Sequence, residues 1–96
     1  MSNRDEYVEQ LKTQLDKWNA EAAKWEAKTR AAQASARAEY DRQLAAFRKQ
    51  RDEALAQLRK VQAASGEAWT ELARGADEAW ARMRDAFEKA QSQFKK

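Results

Sequence analysis

Four hydroxyl nucleophiles, Ser2, Ser35, Ser65 and Ser92, are the serines of this chain, and it contains no histidine to activate any of them. A serine hydroxyl attacks poorly at neutral pH unless a neighbouring base takes its proton. A Ser-His-Asp triad is therefore excluded, and nothing in the spacing supports a Ser-Lys variant. The 16 carboxylates are numerous enough for metal chemistry. Without histidine, however, they cannot form the Glu-x-x-His pairs that helical di-metal sites use. No cysteine is present, which removes thiolate metal sites and disulfides together. Gly66 and Gly75 stand alone, so no glycine-rich loop is available to cradle a phosphate. The expectation is a chain with no catalytic, metal or cofactor residue, and hence no enzyme.

Two further groups could bind rather than react. Arg42, Arg48, Lys49, Arg51, Arg59 and Lys60 form the basic stretch of a chain whose net charge is +3, and clustered cations can displace the counterions of nucleic acid. Asp41, Asp52 and Glu53 interrupt the run and no groove-reading motif accompanies it, so a solvated helix face is the favoured reading and nucleic acid the least favoured partner. The four tryptophans, Trp18, Trp25, Trp69 and Trp80, all fall on one apolar stripe. There, large rings filling a seam between helices explain them better than a ligand does.

The elements that carry these residues are helical. Charged residues make up 36% of the chain and there is no proline, the composition of long helices and coiled coils. Val8, Leu11, Leu15, Trp18, Ala22, Trp25, Thr29, Ala32 and Ala36 alternate by three and four, the seam of a heptad repeat. Beyond them an 11-residue period runs through Ala36, Phe47, Leu58, Trp69 and Trp80, which predicts straighter packing. Ser2 or Asn3 can cap the first helix, with Asp5 and Glu6 in its first turn, and Glu26 stands one turn before Arg30 as a supporting pair. The run Ala31–Ala38 reads as a zone of tight helix packing rather than a linker.

Ser65 and Gly66 mark the favoured turn, because glycine can take the left-handed conformation that ends a helix. The predicted fold is all-α: a helical hairpin of one long helix, about 3–63, and a shorter one, about 67–94, packed as a coiled coil in a single domain. A continuous helix and three helices broken again near 33–37 remain open. In the hairpin, Leu44, Phe47, Leu55 and Leu58 face Trp69, Leu72, Trp80, Met83 and Phe87. The long arm is about 90 Å and the short one about 42 Å at 1.5 Å per residue. Val8, Leu11, Leu15, Trp18, Ala22 and Trp25 are then left uncovered, and an apolar stripe of that length calls for a partner. Antiparallel pairing of two N-terminal arms in an elongated homodimer or higher oligomer covers it; another helical protein could do the same.

The pairs Glu67-Ala68-Trp69 and Glu78-Ala79-Trp80, continued by Phe87 and Phe94, resemble the amphipathic repeats of apolipoproteins and of the phasins that coat bacterial storage granules. The chain as a whole is similar to small bacterial coiled-coil proteins. The first resemblance implies a lipid or granule surface as an alternative partner; neither implies a functional residue. The polar start and the absence of any 18-residue apolar run predict neither a secretion signal nor a membrane span, and so a cytoplasmic protein. The expected role is scaffolding or adaptor binding through helix pairing, with lipid binding as the alternative and nucleic-acid association a lesser one.

Overall fold

The computed structural model describes residues 3–95 as three α-helices: α1 (Asn3–Ala31), α2 (Ala34–Ala63) and α3 (Trp69–Phe94). Ser2, one of the two predicted caps, lies outside the described residues. The hairpin with one long helix is overturned. The longest dimension of the molecule is 52 Å, far short of the roughly 90 Å that a continuous helix over 3–63 would span. Three helices of 29, 30 and 26 residues form a bundle instead. The radius of gyration, 15.4 Å, exceeds the roughly 12–13 Å of a compact chain of this length, so the bundle is elongated within a single chain.

The interruption at residues 32–33 contains neither glycine nor proline. Gln33 adopts an extended backbone with φ −67° and ψ 155°. The ends on either side are tidied locally: the Ala32 N–H donates to the Thr29 carbonyl at 3.1 Å, and the Ala36 and Arg37 N–H groups donate to the Gln33 carbonyl. The Arg37 guanidinium turns back to the carbonyls of Arg30 and Ala32, at 3.3 and 3.0 Å, satisfying acceptors that a helix end leaves open. Breaking the helix forfeits a few backbone hydrogen bonds worth about 1 kcal/mol net each, and these contacts recover part of that. Folding α1 back buries Val8, Leu15, Ala22 and Trp25, and a large apolar side chain contributes about 1.5–3 kcal/mol on burial. Burial wins, and the Ala-rich run is a corner rather than a packing zone: Ala31, Ala34 and Ala38 are exposed.

The second connection spans 64–68. Ala64 is extended, Gly66 takes φ +60°, and the Ala68 N–H donates to the Ser65 carbonyl at 3.3 Å. Helices α1 and α2 run antiparallel, as do α2 and α3, so α1 and α3 are parallel. The closest backbone approach is between α2 and α3, where Ala54, Ala76, Ala79 and Ala90 are buried and their small side chains let the axes come together. Leu44, Phe47, Leu58, Val61, Met83 and Phe87 fill this seam and the central core, while Leu55, Trp69 and Leu72 are half-buried at its margin.

The two glycines respond oppositely to alanine. Gly66→Ala meets no atom within 4 Å but forces a side chain into the left-handed region, and should cost about 1 kcal/mol. Gly75→Ala, inside α3, should add up to about 1 kcal/mol of helix stability, because its nearest neighbour, the Gln57 Oε1 at 3.2 Å, is the free end of a flexible chain. Urea midpoints moving down for the first and up for the second are expected; a fall at both would mean that Gln57 is fixed in place.

Candidate functional site

All nine aromatic residues of the chain have a ring neighbour, and together they form the feature that binds α1 to the rest. Tyr7 meets Trp69 at 5.9 Å, Trp18 meets Trp80 at 6.3 Å, and Trp25 meets Phe87 at 4.9 Å. Each α3 partner lies 62 positions after its α1 partner, so the two parallel helices are locked in one register. Trp18 also stacks on Phe87 and Trp25 on Phe94, both at 5.3 Å. From α2, Phe47 presents an edge to Trp25 and Phe87, and Tyr40 stacks on Phe94 at 4.5 Å. These separations are those at which offset and edge-to-face aromatic pairs are favourable.

Polar side chains brace the same register. The Trp80 Nε1–H donates to Gln14 Oε1 at 2.8 Å, which gives a buried indole the partner it needs. The Tyr7 hydroxyl lies 2.5 Å from Asp77 Oδ1 and 3.1 Å from the Ala73 carbonyl. Burial, then the hydrogen bond to Asp77 and its charge, hold that hydroxyl protonated well above the usual tyrosine range. Arg48 pairs with Glu26 across α1 and α2. That hydrogen bond is the main reason the Glu26 carboxyl sits below its ordinary range. Glu26 thus reaches to α2 instead of pairing with Arg30 along its own helix. The Thr29 hydroxyl, buried, donates to the Trp25 carbonyl at 2.8 Å.

Val8, Leu15, Ala22 and Trp25 are buried inside one chain, and Leu11 and Trp18 are half-buried beside the same core. The reason for assigning them to an interface between chains, an uncovered arm, disappears once α1 folds back. Within the basic stretch, Arg42 meets Glu39 at 3.0 Å, Arg48 meets Glu26, and Arg51 lies within 3.5 Å of both Asn19 and Asp52. Lys49, Arg59 and Lys60 are exposed. A shallow cleft of about 180 Å3 opens between α1 and α3 beside Leu11, Trp18, Trp80 and Arg84. Among the described residues no three carboxylates converge as a metal site would require, and no helix is long and apolar enough to cross a membrane.

The 11-residue period through Phe47, Leu58, Trp69 and Trp80 suggests one continuous stripe and hides the aromatic register. The available signal was repetition between distant segments: Tyr7, Trp18 and Trp25 have the same 11-then-7 spacing as Trp69, Trp80 and Phe87. No family model, curated protein or solved structure matches this chain.

Tyr7 supplies a pH test. A group whose folded value is raised stabilises the fold fully below its unfolded value, about 10 for tyrosine, and loses that contribution as pH rises further. Wild-type stability should fall more steeply above pH 10 than that of Tyr7→Phe in chemical unfolding. Parallel profiles would show that Tyr7 does not brace α1 against α3.

Proposed function

We propose that this chain is a non-enzymatic, cytoplasmic structural or interaction protein that works as a folded three-helix module, in a scaffolding, spacing or adaptor role. The observation that carries the reading is where the chemically capable side chains go. The aromatic rings face one another across the helices, and Tyr7, Gln14, Glu26 and Arg48 act as braces between helices. Side chains engaged in this way hold a shape and leave the outer, charged helix faces as the surfaces a partner would meet.

The alternative, binding to a lipid or granule surface, rests on α3, whose Trp80, Met83, Phe87, Ala90 and Phe94 lie on one broad apolar face. That face has the make-up of an interfacial helix. In the bundle it is covered by α1 and α2, so contact with lipid would require the helices to part at the cost of the aromatic register. The folded-module reading therefore comes first. Nucleic acid ranks last, since half of the basic stretch already has acidic or amide partners within the chain.

Circular dichroism and tryptophan emission, recorded without lipid and again with anionic vesicles, separate the readings. A chain that is fully helical alone, with emission unchanged by vesicles, is expected. Helix gained on adding vesicles, with a blue shift of the tryptophans, would replace the module by an interfacial protein.

A further inference from the structure

The outward face of α1 is charged unevenly along its length. From residue 3 to residue 16 the helix as a whole carries four acidic and two basic side chains, and from residue 17 to residue 31 two acidic and four basic; of these Arg4, Glu26 and Lys28 reach to other helices. Its outermost residues begin with Glu6, Glu9, Thr13 and Asp16 and end with Ala20, Ala27 and Ala31, all exposed. Lys17 and Lys24, also exposed, flank the alanine half. Glu6, Glu9, Asp16 and Lys17 make no side-chain hydrogen bond or ion pair with any described residue. Lys24 reaches only its own helix neighbour Glu21, at 3.6 Å and with 76% of its side chain exposed, an arrangement that binds weakly.

We infer that this face pairs antiparallel with the same face of a second copy of the chain, joining two three-helix bundles through α1. Parallel pairing would set acid on acid and base on base. Antiparallel pairing about a two-fold axis between Asp16 and Lys17 sets Glu9 against Lys24 of the second copy and Asp16 against Lys17 of the second copy, each contact occurring twice, as an isologous interface requires. Shape agrees with charge: Glu6 of each copy lies over Ala27 of the other, and that small side chain leaves the room that helices need to approach within 8–10 Å. The second copy is the occupant because one helix carries both halves of the complement. The apolar stripe expected to join chains faces the opposite way, into the bundle. This inference rests on the folded-module reading.

Sedimentation velocity of the intact chain tests it. At about 10 mM salt, where charges interact over about 30 Å, a dimer is expected; at about 1 M, where that reach falls to about 3 Å, a monomer. Glu9→Lys and Lys24→Glu, both at exposed positions, should each weaken dimerisation at least about tenfold by setting like charges together, while leaving the helix signal unchanged. Mixed in equal amounts they should form a heterodimer, because one Glu9–Lys24 contact is then kept as in the wild type and the other is rebuilt with reversed sign. A folded wild type that stays monomeric at low salt, or a mixture no more associated than its components, overturns the pairing while leaving the folded-module reading in place. Helix gain on vesicles would overturn that reading instead.

Discussion

The parallel register of α1 on α3 is the constraint from which the rest of the molecule follows. Three aromatic pairs, Tyr7 with Trp69, Trp18 with Trp80 and Trp25 with Phe87, share a single offset along two helices. Sliding either helix by one turn would break all three contacts at once. Because rings of this size hold the helices apart, the α1–α3 seam is wide and filled by side chains, whereas α2 and α3 close on each other through alanine. The bundle thus combines one close, small-residue seam with one wide, aromatic seam. A register set by a few large rings is more specific than one set by many alanines, since alanine fits at almost any offset.

The same register determines where the helices end. Three helix C-termini present open carbonyls, and each receives a cation from elsewhere in the chain. Arg37 of α2 reaches the carbonyls of Arg30 and Ala32 at the end of α1. Arg4 of α1 donates to the Ala64 carbonyl just after α2, and Lys28 of α1 donates to the Phe94 carbonyl at the end of α3. A positive side chain at a helix C-terminus also complements the helix dipole. The contacts of Arg4 and Lys28 require α1 to run antiparallel to α2 and parallel to α3, so the polar ends and the aromatic core specify the same topology.

Much of the helical character is legible in the sequence, because three-and-four spacing of apolar residues over so many turns fits no other element. The corner at Ala32–Gln33 is not. Every residue from Ala31 to Ala38 tolerates a helix, and the bend exists only because a side chain as large as Trp25 gains more by meeting Phe47 and Phe87 than the backbone loses by turning. That is a tertiary effect overriding local preference, and no reading of residues 31–38 alone can detect it. The stripe from Val8 to Trp25 was likewise readable as a surface needing cover, but the spacing cannot say whether the cover comes from the same chain. The repeated spacing of Tyr7, Trp18 and Trp25 in Trp69, Trp80 and Phe87 is the sequence feature that bears on that choice.

With the apolar stripe facing inward, the exterior of this protein is defined by charge and by alanine, and any partner must be recognised through those. That holds only if α1 returns along α2. Spin labels at Asn3→Cys and Ala63→Cys, with the labelled chain diluted into unlabelled protein, measure this most directly by pulsed electron resonance. The bundle, in which Arg4 touches the Ala64 carbonyl, places the two labels at the short end of the measurable range. A distance near the roughly 90 Å of an unbroken helix over 3–63 would contradict it.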